Sequence, residues 1–325
     1  MRIAVIGLGL IGGSLLRALA AAGHEVSGFD ADAATRELAR AAGHRVPDSA
    51  PEAVDGTEVV ALAVPLPHLP QAIADLADYR GLVTDVTSVK GPVRALAEER
   101  GLRRFVGGHP MAGTAASGFA ASDPELFQGC MWVLCVEPHG TDLDDWLTLA
   151  RLYTALGARV LPITAAEHDN AVAAISHVPH LLAAALTESI NERPLAAALA
   201  AGSFRDGTRV AATRAELTAA MCGGNANEVI RELNHVIDDL EQLRDQLELD
   251  DPVSALVPHL KATEELRRAW PPAPGATERL AWPPTATFLA APAHTLLELG
   301  RAGGWVTAVG DGELVVVRPK EAAGN

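Results

Sequence analysis

The chain predicts an α/β N-terminal domain, then an all-α domain, then a small C-terminal β-α-β-β appendage. Three observations lead there: β-branched runs alternate with Ala/Leu-rich helical stretches as far as residue 164, helical periodicity replaces them, and a proline-dense segment at 271–284 precedes a second set of short strands. A length of 325 residues fits two domains and an appendage. With 26 basic and 41 acidic residues the net charge is −15, which excludes a nucleic-acid surface and obliges an anionic ligand to find a local positive pocket. Met1 leads directly into a strand without a basic leader, and no apolar run reaches the ~18 residues of a membrane helix, so a cytoplasmic, membrane-free protein is expected. Cys130, Cys135 and Cys222 are too few and too irregular for a disulfide framework or a zinc site; they read as small buried residues, and no metal is expected.

Residues 2–6 form a β-branched run ending in Gly7-Leu8-Gly9-Leu10-Ile11-Gly12, and a helix follows to about residue 22. A second strand, 25–29, ends at Asp30. This order makes a dinucleotide-binding (Rossmann-type) fingerprint in its strong form. Gly7 makes the tight turn, Gly9 admits a pyrophosphate, Gly12 lets helix pack on strand, and Leu8, Leu10 and Ile11 complete the phosphate-facing turn. Asp30 lies 18 residues past Gly12, where a carboxylate accepts hydrogen bonds from ribose hydroxyls and repels a 2′-phosphate. NAD is therefore expected over NADP, with Arg36 close enough in sequence to oppose that preference. Further strands are expected at 59–64, 82–87, 105–106, 131–136 and 159–163, in one parallel sheet covered on both faces.

Asp85-Val86-Thr87-Ser88-Val89-Lys90-Gly91-Pro92 sits at the carboxyl end of a strand, the ligand edge of a doubly wound sheet, so Ser88 can meet nicotinamide and substrate together. Lys90, beside Gly91-Pro92, reads as a solvated turn residue, with a catalytic or phosphate-binding lysine as the alternative. Residues 105–118, FVGGHPMAGTAASG, set His109 in a glycine-flanked loop stiffened by Pro110. That is the layout of a positioned acid or base, with a pKa near 6–7 if little perturbed.

Thr164-Ala165-Ala166-Glu167 is a capping box that opens a helical stretch through about residue 190. Within it, Pro179 crowds the carbonyl of Ile175 and kinks the helix. Ser176 and His180 share a face, so two of Ser176, His177 and His180 can point into one pocket. In Gly202-Ser203-Phe204-Arg205-Asp206-Gly207-Thr208-Arg209 two arginines supply local positive charge. Arg209 is favoured as a carboxylate clamp, although the spacing does not choose between it and Arg205, which can instead pair with Asp206. Val229, Leu233, Val236, Leu240, Leu243 and Leu247 form a heptad seam on a helix of roughly 22 residues, or ~33 Å, whose partner lies in its own domain or in another subunit. The five prolines of 271–284 read as a stiff linker. Beyond it come a strand at 285–289, a helix at 294–301, a strand at 305–309, the turn Gly310-Asp311-Gly312 and a strand at 313–318. So small a unit must dock on the body or pair with its copy.

Together these segments resemble the prephenate dehydrogenase family, which includes arogenate dehydrogenases. The matching pieces are VIGLGLIGGSL, Ala63-Val64-Pro65, DVTSVKGPV, GGHPMAGT, ISHVPH and GSFRDGTRVA, in the family's order over about residues 1–250. The resemblance implies an NAD-binding domain (1–164), a helical substrate-binding and dimerisation domain (165–270), the linker (271–284) and the C-terminal unit (285–325), assembled as a homodimer. It implies oxidative decarboxylation of prephenate to 4-hydroxyphenylpyruvate in tyrosine biosynthesis, with arogenate or an amino-substituted prephenate as the alternative substrate. By the same resemblance His109 takes the ring-hydroxyl proton and Ser88 orients that arrangement. Arg209 binds the substrate carboxylate, Ser176, His180 and Thr114 line the pocket, and Val64 and Pro65 border the cofactor. Two positions depart from the pattern: Ala115 stands where the family often carries an acidic residue, and Thr87 where it usually has glycine. The C-terminal unit resembles part of an ACT-type regulatory domain without its last helix and strand. A nicotinamide-binding sensor with a decayed site is the contrasting expectation; intact Ser88, His109 and Arg209 speak against it.

Overall fold

The computed structural model describes residues 1–113, 116–282 and 290–320. Its first part runs β1 (Arg2–Ile6), α1 (Leu10–Ala21), β2 (Glu25–Phe29), α2 (Ala33–Ala41), α3 (Ala50–Val54), β3 (Val59–Leu62), α4 (Leu69–Ala74), β4 (Leu82–Asp85), α5 (Gly91–Glu99) and β5 (Phe105–Val106). The five strands pair in parallel in the order β2-β1-β3-β4-β5, with β3 and β4 buried along their whole length, as a sheet covered on both faces requires. β3 and β4 each end two residues before the expected 64 and 87, which leaves Val64, Pro65, Thr87 and Ser88 in loops at the carboxyl edge.

The chain continues with β6 (Gly108–Pro110), β7 (Met131–Cys135), α6 (Leu143–Ala155) and β8 (Arg159–Ile163). The helical part is α7 (Ala165–Val172), a π turn (Ala173–His177), α8 (Val178–Thr187), α9 (Pro194–Leu199), α10 (Gly202–Thr208), α11 (Ala215–Gly224), α12 (Ala226–Leu247) and α13 (Pro252–Ala269). Last come β9 (Pro274–Ala281), α14 (Ala290–Arg301), β10 (Trp305–Val309) and β11 (Glu313–Pro319).

The single parallel sheet expected from the alternation is corrected here. β7 and β8 are parallel to each other but belong to a second, mixed sheet of order β6-β7-β8-β10-β11-β9. The chain leaves the first sheet after the two residues of β5, and glycine makes the crossing possible: a Cβ on Gly108 would lie 2.8 Å from the Asp85 carbonyl oxygen. Trp132 of β7 stacks on Tyr153 of α6 with centroids 3.8 Å apart, inside one core that takes residues from both sheets.

The segment 271–284 is not a linker. Its residues 274–281 form β9, paired antiparallel with β11 at the edge of the second sheet, and Pro274 is the strand's first residue, where a missing N–H costs little. The expected strand at 285–289 lies outside the described residues. The C-terminal unit docks on the body: β10 pairs with β8 through Val306 and Val160, and Gly300 of α14 sits so close to β8 that a Cβ there would meet the Pro162 carbonyl oxygen at 1.7 Å.

The capping box forms as expected, Thr164 Oγ1 accepting from the Glu167 N–H and Glu167 accepting from the Thr164 N–H. The heptad seam divides. Val229 is buried, and Leu233 and Val236 pack with Ala173 and Val178, whereas Leu240 and Leu247 are 53% and 59% exposed. Val253, Val257 and Leu260 of the adjoining α13 are bare as well. The continuous helical stretch Ala165–Ile190 has 26 residues and a mean hydropathy of 1.2 over its most apolar window, enough by length and composition to cross a membrane, which corrects the expectation that no segment reaches that length. It also carries the buried polar residues His168, Asp169 and His177. Of the cysteines only Cys135 is buried; Cys130 and Cys222 are half-buried.

Candidate active site

Gly7 has φ +96°, and a Cβ there would lie 2.5 Å from the Ala63 carbonyl oxygen; a Cβ on Gly12 would lie 1.9 Å from that of Gly7. Neither position admits a side chain. Beside Gly9, by contrast, a Cβ would meet nothing within 4 Å, and Gly9 caps α1 without a side-chain partner for the first-turn N–H groups. Open space in front of free helix-terminal donors, beside half-buried Leu10 and Ile11, fits a pyrophosphate. Val64 borders Gly7, its Cγ1 3.0 Å from the place of a Cβ there, and Pro65 follows exposed. Leu8 is buried, and its N–H donates to Asp30 Oδ2 at 2.7 Å while the Asp32 N–H donates to Oδ1 at 2.9 Å. The Asp30 carboxylate is thus pinned beside the glycine turn with lone pairs to spare for hydroxyls. Arg36 turns back, its Nη1 donating to the carbonyls of Asp30 (2.8 Å) and Ala31 (3.1 Å).

His109 is the middle residue of β6, paired with Val133, rather than a loop residue as expected. Its Nδ1 lies 2.9 Å from His168 Nε2, the rings edge to face, and His168 Nδ1 lies 2.7 Å from Asp169 Oδ1. The Asp169 carboxylate also accepts the N–H groups of Lys90 (2.8 Å) and Gly91 (2.7 Å). α7 is thereby laced to the loop that carries half-buried Ser88.

Lys90 is not solvated. It is 1% exposed and paired with the buried carboxylate of Asp85, and its Nζ donates to the Gly108 carbonyl at 2.6 Å and to Thr87 Oγ1 at 3.1 Å. These acceptors compensate its desolvation. Asp85 Oδ1 accepts the Gly108 N–H at 3.1 Å, so the residue before His109 is held at both its N–H and its C=O. The Thr87 hydroxyl donates to Asp85, a contact glycine could not make.

Burial, and then the neighbouring His168, Lys90 and His177, hold His109 well below the ordinary histidine pKa. Burial likewise lowers His168, outweighing its bond to Asp169. For Asp169 burial works upward, but the His168 bond and the two backbone N–H groups prevail and its pKa is lowered.

The kink expected at Pro179 is taken up one turn earlier. The Val178 N–H donates to the Ala173 carbonyl five residues back, a π turn that widens the helix ahead of the proline. His168 and His177, nine residues apart, would face opposite ways on a straight α-helix. Absorbing one residue brings them to about 80° of each other. Asn225 Nδ2 joins Asp169 to His177, donating to the Asp169 carbonyl at 2.7 Å and to His177 Nδ1 at 3.2 Å. His177 therefore carries its proton on Nε2, which is buried and has no partner among the described residues. Burial pushes its pKa down to about 4.

His180 Nδ1–H donates to the Ser176 carbonyl at 2.8 Å, and both residues are half-buried. It is His177, however, that meets the His168–Asp169 pair through Asn225. Arg209 opens a short 3₁₀ turn, Arg209–Ala212, packed against α8. Arg209 and Arg205 are both exposed, and among the described residues neither reaches a carboxylate, Asp206 included. Thr114 and Ala115 lie outside the described residues.

Asp85, His168, Asp169 and Asn225 were not singled out from the sequence. For His168-Asp169 a signal existed: the capping box accounts for Glu167 but leaves a histidine and an aspartate unexplained at the start of an apolar helix. Asn225, between Gly224 and a helix, reads as an ordinary turn residue.

The nucleotide-binding domain of prephenate dehydrogenase matches residues 15–162, and the dimerization domain of prephenate dehydrogenase matches residues 164–262. The cyclohexadienyl dehydrogenase of Zymomonas mobilis is 33% identical over 280 residues, 82% of this chain and 95% of that one. The arogenate dehydrogenase of Synechocystis has a TM-score of 0.74 at 30% identity, covering 83% of this chain and 100% of that one. The prephenate dehydrogenase of Aquifex aeolicus in complex with hydroxyphenyl propionate and NAD+ has a TM-score of 0.77 at 25% identity, covering 82% and 97%.

Proposed function

The chain belongs to the prephenate dehydrogenase family, and on that premise we propose that it catalyses the NAD+-dependent oxidative decarboxylation of prephenate to 4-hydroxyphenylpyruvate, a step of tyrosine biosynthesis. The observation that carries this reading is His109, a histidine whose pKa burial holds well below the ordinary value and which is tied to the carboxyl edge where the glycine turn and Ser88 also lie. A dinucleotide held at the Gly9 turn and by Asp30 would supply the hydride acceptor. His109 takes the proton of the ring hydroxyl as the neighbouring C–H bond gives up its hydride. The electron pair left by the departing carboxylate aromatises the ring, and the ring oxygen takes the proton back from His109, so no net proton is released. Ser88 orients the hydroxyl, Arg209 holds the substrate carboxylate, and Ser176 and His180 line the pocket. Purified protein offered prephenate and arogenate, each with NAD+ and NADP+, tests this by absorbance of the reduced cofactor. Prephenate with NAD+ is expected to react fastest. Preference for arogenate would move the substrate to the kind named for the Synechocystis relative; no reduction in any pair would leave a nicotinamide-binding sensor.

NAD selectivity rests on Asp30, whose carboxylate would repel a 2′-phosphate, while Arg36, the opposing cation, is turned back with its Nη1 on two backbone carbonyls. Asp30→Ala should shift the ratio of kcat/KM for NAD+ over NADP+ toward NADP+ by about tenfold or more. Steady-state kinetics with both cofactors checks this, and a wild type already faster with NADP+ contradicts it.

The bare apolar side chains of α12 and α13 are the face through which two copies join as a homodimer, in keeping with the match to a dimerization domain. Leu240→Glu places a charge in the middle of that face and should yield monomers in light scattering. A monomeric wild type, or a dimer indifferent to the change, counts against it.

A further inference from the structure

A histidine base works only if the nitrogen that faces the substrate is bare. We propose that His168 and Asp169 set this condition, as a relay Asp169–His168–His109 that keeps the single proton of neutral His109 on Nδ1 and leaves Nε2 as the acceptor. The catalytic consequence rests on the function proposed above; the proton's position does not.

The assignment follows from counting donors. Asp169 accepts two backbone N–H groups and faces His168 Nδ1 at 2.7 Å, so as a carboxylate it has only lone pairs to offer and His168 Nδ1 must carry a proton. Neutral His168 is then bare at Nε2. His109 Nδ1, 2.9 Å away, must be the donor, since two facing lone pairs make no bond. The other protonation pattern needs a charged His168, at 1% exposure and with the Lys90 ammonium nearby. Every charged or titratable group facing His109 has a place in this account: Lys90 and Asp85 neutralise each other beneath β6, and His177 is neutral with its own proton on Nε2. When His109 Nε2 receives the substrate proton, the imidazolium stays hydrogen-bonded through Nδ1 to His168, and Asp169 supplies the balancing charge two bonds away. His168 and Asp169 are thus positioning residues.

A purely structural tie between α7 and the Ser88 loop would affect stability but not the proton on His109, which gives the test its readouts. His168→Gln keeps an oxygen that can accept from His109 Nδ1–H; His168→Leu fills similar space and accepts nothing. His168→Leu should lower kcat by about 100-fold or more, with both KM values within about threefold, because a histidine base in the wrong tautomer is costly. His168→Gln should stay within about tenfold of wild-type kcat. Long-range ¹H–¹⁵N spectra of histidine-labelled wild type at neutral pH should show His109 protonated at Nδ1 and bare at Nε2, and Asp169→Asn should reverse this by letting His168 present Nε2–H. A wild-type His109 protonated at Nε2, or His168→Leu with wild-type kcat, overturns the relay. These spectra need no substrate, so they remain decisive if a variant folds poorly. Spectra as expected together with full turnover in His109→Asn would instead retire His109 as the base and leave the relay standing.

Discussion

His109→Asn should lower kcat by about 10²–10⁴ while dinucleotide binding persists. Asparagine keeps a polar group in β6 but takes no proton, so the loss falls on the chemical step. The sign of the pH dependence follows from the fold. The neutral ring is the competent form, and burial, then His168, Lys90 and His177, hold its pKa well below 6.5. Activity should therefore fall only as pH drops through that lowered value, so the acidic limb of the kcat/KM profile lies below pH 6.5 instead of at the 6–7 of an unperturbed histidine. His109→Asn should remove the limb as well as the rate. Near wild-type turnover with the same limb would assign proton acceptance to another group, His180 first.

Arg209→Ala should raise KM for the anionic substrate at least about tenfold and leave cofactor affinity nearly unchanged. In a chain of net charge −15, long-range electrostatics repel such a substrate, so binding depends on a local cation not already spent on a carboxylate. Arg209 is in that condition, on a turn packed against the helix that bears His180. So is Arg205, and titration of both variants with substrate separates them. Loss in Arg205→Ala with none in Arg209→Ala transfers the clamp one helical turn back.

The parallel sheet and the glycine turn were legible because their signals are local: a β-branched run, three glycines and an acidic residue all lie within the first 30 positions. His109 was legible from its glycine flanks. The groups around it were not, because they come from distant parts of the chain. Lys90 looked like a turn residue until Gly108, 18 positions on, supplied its acceptor. His177 came into register with His168 only through the π turn, whose extra residue defeats the 3.6-residue period used to assign helix faces. The proline count at 271–284 misled because a strand at a sheet edge tolerates prolines at its ends, and edge position is a tertiary fact. The heptad seam divided for the same reason: the pattern gives a stripe, and only packing decides which half of it is covered.

The second sheet also sets an order of events in the life of the chain. Val160 of β8 waits for Val306 of β10, 146 residues later, to pair with it. A nascent chain emerging from the ribosome has thus made every residue of the proposed site before it can close the sheet that carries β6. Through that interval β8 is an open edge able to recruit a strand from any neighbouring chain. A message cut short between α13 and β10 would encode the proposed chemistry in full and still yield a protein prone to aggregate, so nonsense alleles in that interval should behave as defects of proteostasis.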